Sequence, residues 1–255
     1  MDAALEGKRK REVENVIYPN LLLLLLLYRY VNDLVFRVLV DSRGHVWELT
    51  GWEPHPADTS LVDVSFLSRV QILKLQNCSA IIDVSPLANA HTLNLSTLSG
   101  VRDVSTLSSV HTLTLFNMRG VTDVSALSSV HTLTLGWMSG VTDVSTLSSV
   151  HTLTLLYMNG VTDVSALSSV HTLTLENMFG VTDVSTLSSV HTLTLRYMSG
   201  VTDVSPLSSV HTLRLECLDG VRDVSALSSV HTLTLNAMSG VTDATTGTKY
   251  KYLLR

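Results

Sequence analysis

Histidine, serine and aspartate recur at fixed positions along this chain, and these residue types carry out catalysis or bind metals. Imidazoles stacked about 5 Å apart in neighbouring strands would be able to share a metal ion, since histidine is the commonest metal ligand. No Asp, Glu or Cys stands beside them in the same segment to complete a tetrahedral set. The pattern favours a polar column, and we expect no metal site. The column is His91, His111, His131, His151, His171, His191, His211 and His231.

The recurring sets of serine, histidine and aspartate do not indicate an active site either. Each set repeats with the period of the chain, as a structural unit does. A catalytic triad instead needs one base oriented toward one activated nucleophile in a pocket. The sequence also lacks a glycine-rich phosphate loop, an HExxH motif and a CxxC motif. We therefore expect no catalytic residue, no cofactor and no enzymatic activity.

A few positions vary while the rest of the repeated unit is nearly constant, and they are the candidate binding residues. They are expected directly after the strand formed by the repeated segment HTLTL, or, for Phe179, after the methionine slot that follows. They include exposed aromatic residues and arginine, the types that anchor interfaces. The alternative is that they are simply the positions most tolerant of mutation in a duplicated array. The candidate partner-binding residues are Phe116, Asn117, Trp137, Tyr157, Glu176, Phe179, Arg196, Tyr197 and Glu216.

The unit that carries these residues is 20 residues long and fills residues 61–243, with nine copies and a stub. The spacing from Val130 through Leu133 and Leu135 to Met138 resembles the leucine-rich repeat pattern LxxLxLxxN/C. The segment that follows, VTD at 141–143, resembles the ending of the cysteine-containing subclass. The resemblance implies an α/β repeat solenoid. A parallel β-sheet would form its concave side, and short turns or 3-10 segments its convex side.

Elementary physical chemistry leads to the same local structure. The alternation in HTLTL predicts a β-strand with its leucines inward and its threonines outward. Gly140 is expected at a bend with positive φ, and Asp143 and Ser145 are expected to cap a short helical turn. Methionine occupies most copies of the inward slot that holds Asn or Cys in the family, which predicts an apolar row. These residues are Met118, Met138, Met158, Met178, Met198 and Met238.

The outward threonines form two columns that run from Thr112 to Thr194. Regular threonine arrays on flat solenoids resemble those of ice-binding proteins. Here Asn94 and Arg214 interrupt the array, and a leucine-rich repeat array tends to curve. Ice binding is therefore an alternative to a solvent-facing surface selected for strand propensity.

Charge and cysteine content limit the partners. The chain of 255 residues has 17 basic and 22 acidic side chains, a net charge of −5. Nucleic-acid binding needs a basic stripe, so no nucleic acid is expected. Cys78 and Cys217 are seven repeats apart, too far for a disulfide, which favours a reducing, intracellular location in the cytoplasm or nucleus. The seven leucines at 21–27 are too few to span a bilayer, so no membrane partner is expected.

Composition divides the chain into four parts. We predict a flexible basic and acidic N-terminus at 1–14, an N-terminal cap or F-box-like module at 15–60, the repeat array at 61–243 and a C-terminal capping tail at 244–255. Within the module, HVWELT at 45–50 is interpreted as a strand. The function that follows is a non-enzymatic scaffold that binds a protein ligand on the concave face of the array.

Residues 19–47 also resemble an F-box, whose outline is a proline followed by leucines, a tyrosine, Asp-Leu, a valine and a tryptophan. This resemblance implies an alternative function as a substrate adaptor of a ubiquitin ligase. Residues 15–50 would then bind a core component of the ligase. The matching positions are Pro19, Leu21, Leu22, Tyr28, Asp33, Leu34, Val40 and Trp47.

Overall fold

Parallel strands joined by short 3-10 helices form the architecture of this protein, seen in a computed structural model that describes residues 46–50, 64–241 and 251–253. The strands are β1 Val46–Thr50, β2 Ile72–Gln76, β3 Thr92–Ser96, β4 Thr112–Phe116, β5 Thr132–Gly136, β6 Thr152–Leu156, β7 Thr172–Glu176, β8 Thr192–Arg196, β9 Thr212–Glu216, β10 Thr232–Asn236 and β11 Lys251–Leu253. The 3-10 helices are Ser65–Leu67, Ser85–Leu87, Ser105–Ser109, Ser125–Ser129, Ser145–Ser149, Ser165–Ser169, Ser185–Ser189, Ser205–Ser209 and Ser225–Ser229. Within the described residues, no helix is both long and apolar enough to cross a bilayer.

All eleven strands lie in one sheet in the order of the sequence, and each pairs in parallel with its neighbour. Equivalent residues face each other, as Leu133 and Leu153 do between β5 and β6. The predicted strand at 45–50 is β1, which pairs with β2. In the tail, β11 pairs with β10, while the capping role of 244–255 and the predicted domain boundaries stay predictions. The leucine run and most of the F-box-like stretch lie outside the described residues.

Seven apolar slots of each repeat form the core, as the spacing predicts. In the repeat at 121–140, the side chains from Val121 to Met138 at these slots are at most 2% exposed. Burying one such aliphatic side chain contributes about 1.5–3 kcal/mol. Each side chain is covered by the repeats before and after it, so an isolated repeat would not fold.

An aspartate turn starts the 3-10 helices from Ser85–Leu87 to Ser225–Ser229. Asp143 Oδ1 accepts a 2.8 Å hydrogen bond from the backbone N–H of Ser145, and the same bond recurs in the other described repeats that carry this aspartate. The backbone bond and a second bond from the Ser145 hydroxyl hold the pKa of Asp143 below its usual value. Asp143 thus bonds the first residue of the helix from the position before the N-cap, which is Val144, whereas Ser145, also expected to cap the turn, is that first residue.

Replacing this aspartate tests whether the turn depends on its acceptor atom or on its charge. Asp143→Ala should lower the thermal midpoint, because the Ser145 N–H loses its partner. Asp143→Asn keeps an acceptor oxygen and should stay close to the parent protein. Both variants are compared by thermal unfolding at neutral pH. Equal destabilisation by the two substitutions would show that the charge matters more than the hydrogen bond.

A column of serines links each repeat to the preceding one. The Ser149 hydroxyl donates a 2.7 Å hydrogen bond to the backbone carbonyl of Ser128, and Ser129 bonds Ser108 in the same way. These hydroxyls satisfy carbonyls near the end of the neighbouring 3-10 helix, where backbone acceptors lack helical partners. The serine column therefore has a structural role, since it connects adjacent repeats.

The expectation of a positive φ at Gly140 is wrong. The left-handed residue of this repeat is Trp137, with φ 53°, and Gly140 does not adopt that conformation. Gly140 is needed for a different reason, because a Cβ there would lie 2.9 Å from Thr122 Cγ2 and 3.2 Å from the Val121 carbonyl oxygen. Successive coils thus approach too closely for a side chain at this position.

Candidate functional site

The variable residues form one continuous row across the carboxyl ends of the strands, which we call the strand-end surface. Each repeat contributes the last residue of its strand and the residue after it. The expected position of the first of these residues, directly after the strand, is wrong, because it is the strand's last residue. The surface consists of Phe116, Asn117, Gly136, Trp137, Leu156, Tyr157, Glu176, Asn177, Arg196, Tyr197, Glu216 and Cys217.

The second residue of each pair has a left-handed backbone. φ is 49° to 57° at this slot in all nine repeats from Asn77 to Ala237. The slot is structural, because its N–H bonds the carbonyl of the next repeat, as Trp137 does to Leu156 at 3.0 Å. Asparagine tolerates this conformation, whereas a bulky side chain is strained by it. Trp137, Tyr157 and Tyr197 therefore occupy positions where Asn, found at other copies, suits the backbone better.

Aromatic rings dominate the first half of the strand-end surface. The Phe116 ring lies over Gly136, since a Cβ on that glycine would be 2.5 Å from Phe116 Cδ2. Beside it, the rings of Trp137 and Tyr157 lie 4.8 Å apart between centroids and are inclined by 35°. Trp137 is 51% exposed, although it contacts another ring. This half offers an apolar surface with a tryptophan at its centre.

Charged residues that pair with one another form the second half. Arg196 Nη1 lies 2.9 Å from Glu176 Oε2, and Arg196 Nε lies 2.5 Å from Glu216 Oε2. Arg214, on the same strand as Glu216, forms an ion pair with that carboxylate as well. Asn236 Nδ2 donates a 3.4 Å hydrogen bond to Glu216 Oε1. Two acids and two arginines therefore form a network without net charge.

The pKa values of the network reflect this pairing. Burial raises the pKa of Glu216, but hydrogen bonds from Arg214 and Asn236 and the charge of Arg196 lower it by more, so the net shift is downward. Burial opposes the charged form of Arg196, and the carboxylates of Glu176 and Glu216 reverse that effect and raise its pKa. Both shifts favour the charged forms of Glu216 and Arg196. Glu216 is only 3% exposed, and its carboxylate contacts the two arginines.

Tyr197 extends the surface beyond the network. It is 44% exposed, and the Arg196 guanidinium carbon lies 5.9 Å from the centre of its ring, within range of a cation–π contact. A hydrogen bond with the Cys217 side chain raises the pKa of the Tyr197 hydroxyl. Phe179 is 52% exposed but lies in the turn beyond Met178, outside this row. The structure thus brings eight of the nine predicted binding residues together and leaves Phe179 to one side.

The histidine column lies at the opposite, amino-terminal ends of the strands. Neighbouring rings stack with centroids 4.5 to 4.8 Å apart, close to the predicted spacing. His131 Nδ1 lies 3.2 Å from Thr132 Oγ1, and the contact recurs from His91 to His211. Among the described residues, no three His, Cys, Asp or Glu side chains are grouped to hold a metal ion.

A shallow groove runs between the serine and histidine columns. One section has a volume of about 400 Å³, and an equivalent section near His211 measures about 480 Å³. The groove recurs because the repeat recurs, so it lacks the unique set of groups that an active site needs. The first section is lined by Ser148, Ser149, Val150, His151, Ser169 and His171.

The two threonine columns are in register and half-exposed. Thr132 pairs with Thr152, and Thr134 pairs with Thr154. Stacked imidazoles beside them are inclined by 12° to 15° from one repeat to the next over most of the column. Ice binding stays a prediction without added support.

The sheet, the 3-10 helices and the seven buried slots of each repeat define a leucine-rich repeat solenoid. Among solved structures, it is similar to internalin C2 from Listeria monocytogenes, with 25% identity over 67% of this chain and 83% of that chain and a TM-score of 0.46. A functional domain of InlJ from the same organism, which includes a cysteine ladder, is 17% identical over 77% of this chain and 51% of that one, with a TM-score of 0.39. The plant peptide hormone receptor RGFR1, in complex with RGF2, is 12% identical over 74% of this chain and 42% of that one, with a TM-score of 0.36. No protein-family profile and no curated protein sequence matches the chain.

Proposed function

We propose that this protein is a non-enzymatic interaction scaffold whose strand-end surface binds a protein partner at the concave face of the solenoid. The observation that carries the proposal is the identity of the left-handed residues. Trp137, Tyr157 and Tyr197 are strained by a backbone that suits asparagine, and two of them are at least 44% exposed. Stability alone favours other residues there, whereas exposed aromatic residues are the usual anchors of an interface.

Substitution by asparagine separates binding from folding. Replacing Trp137, Tyr157 and Tyr197 together by Asn installs the residue that Asn117 and Asn177 already supply at this slot. We expect the thermal midpoint to stay level or rise, because strain is relieved, and we expect partner binding to be lost. The parent and the triple variant are compared by thermal unfolding and by affinity capture with mass spectrometry. Retention of the same partners by the variant would contradict the proposal, and a large fall in the midpoint would show that the rings are structural.

An intracellular location is part of this proposal. Cys78 and Cys217 are seven repeats apart, too far to form a disulfide with each other, and proteins without a disulfide framework are typical of the cytoplasm and nucleus. Resemblance to the cysteine-containing subclass remains an interpretation of the VTD ending. The adaptor alternative predicts that a ubiquitin-ligase core component is captured by the full chain and not by one that lacks residues 15–50.

A further inference from the structure

The strand-end surface can be assigned a partner chemistry from its charges. Arg196 is engaged by Glu176 and Glu216, and Arg214 by Glu216. A charged peptide would have to displace an ion pair that is already formed, at a desolvation cost on both sides. The aromatic half carries no charge. The surface therefore fits an uncharged segment with rigid apolar side chains.

The spacing of the aromatic residues indicates which backbone conformation the bound segment would have. Neighbouring strands lie about 4.7–4.9 Å apart, so Tyr157 and Tyr197, which are two repeats apart, are separated by about 9.4–9.8 Å along the solenoid. A polyproline II helix rises about 3.1 Å per residue and about 9.3 Å per turn of three residues. One turn of such a helix therefore matches the backbone separation of the two tyrosine positions.

We propose that the strand-end surface binds a proline-rich segment in the polyproline II conformation, which lies along the solenoid axis. This inference rests on the proposed function, because it names the partner of the same surface. Prolyl rings pack on the Trp137 and Tyr157 pair and, one turn further, on Tyr197. The indole N–H of Trp137 and the hydroxyl of Tyr157 donate hydrogen bonds to the segment's carbonyls, which have no internal partners in this conformation. Aromatic-lined grooves recognise such segments because little conformational entropy is lost.

The asparagine between the two tyrosine positions supports this arrangement. Asn177 stands between Tyr157 and Tyr197 at the left-handed slot, so the two tyrosine rings are separated by a small polar residue. The residues of a polyproline helix that face one side are also separated, three positions apart. An α-helical ligand rises only 5.4 Å per turn and does not match a two-repeat separation.

The test uses the full chain and an uncharged decaproline peptide with blocked ends, and a glycine-serine peptide of the same length is the control. Binding is measured by isothermal titration calorimetry. We expect saturable binding of decaproline that is insensitive to salt, and none of the control peptide. Trp137→Asn and Tyr197→Asn should each weaken binding by about tenfold, the usual effect of losing an anchor residue. The matched control is Ile82→Thr, which replaces another exposed apolar residue by the threonine that other repeats carry at that slot.

Absence of saturable decaproline binding would overturn the inference. Equal loss of binding in the Ile82→Thr variant, or strong salt dependence, would do the same. Thermal midpoints at or above that of the parent show that the asparagine variants are folded, so a loss of binding is then due to the missing ring. If decaproline fails while partner capture still depends on Trp137, Tyr157 and Tyr197, only the partner chemistry is wrong and the proposed function stands.

Discussion

Leu153→Ala is expected to lower the free energy of unfolding by about 2–5 kcal/mol. Leu153 is fully buried in β6 and lies in register between Leu133 and Leu173 of the adjacent strands. Truncation removes buried methyl groups and leaves a cavity that the repeats on both sides cannot close, because their leucines occupy the same close-packed row. Urea unfolding of the two proteins measures the difference.

Thr154→Ala on the same strand is the matched control. Its side chain is half-exposed on the other side of the strand, so we expect a change within about 0.5 kcal/mol. Comparable losses at 153 and 154 would mean that the leucine row is not the main source of stability. A smaller effect at Leu153 would indicate that the array relaxes around the cavity.

Acid is expected to destabilise the protein through the histidine column, at a pH well above that which protonates its aspartates. Burial and the neighbouring His111 and His151 imidazoles lower the pKa of His131, and burial with His231 and His191 lowers that of His211. The unfolded chain then binds more protons than the folded one below the ordinary histidine pKa of about 6.5. Stability is complete above that value and is lost as the pH falls through the folded pKa values. We expect a thermal midpoint that is level from about pH 8 to 7 and declines from about 6.5 to 5.

The first repeat supplies the control for the histidine column. Gln71 occupies the histidine slot there and donates a 3.5 Å hydrogen bond to the Asn89 carbonyl. Replacing His131, His151, His171 and His191 by Gln should flatten the decline between about pH 6.5 and 5. Hydrogen bonds hold the pKa of the aspartates below their ordinary value of 3.8, so these groups stay ionised in this range. Parallel losses of stability in the parent and the substituted protein would exclude the column as the cause.

The sequence was sufficient to predict the sheet and the core because every repeat restates them. Alternation in HTLTL places Leu133 and Leu135 inward in each copy, and a constant period of 20 residues forces the strands into register. The same constancy predicts that the imidazoles stack at about one strand spacing. At these positions the alternation within a repeat and the contacts with adjacent repeats favour the same strand, so tertiary packing does not override the local preference.

The backbone of the strand-end surface was harder to predict, because it depends on contacts between coils. A glycine suggests a positive φ, but Gly140 is required because the backbone there passes close to Thr122. The residue with the left-handed backbone is Trp137, three positions earlier. Asn77, Asn117 and Asn177 were the available signal, since asparagine is enriched at that conformation. The paired charges of Arg196 and Glu216 come from different repeats, and their contact requires knowledge of side-chain direction as well as register.

Because the serine column makes the same contact at every junction, the number of repeats in the array can change by whole units. Each serine hydroxyl bonds a carbonyl of the repeat before it, and this bond is the same from Ser109 to Ser229. Gain or loss of one whole 20-residue unit by gene duplication or deletion would therefore preserve every junction. Gain of one unit between Tyr157 and Glu176 would move the aromatic half relative to the charged half by one strand spacing, about 4.7–4.9 Å, and would alter neither half. The distance between the two halves of the strand-end surface can thus change in whole strand spacings while the chemistry of each half is kept.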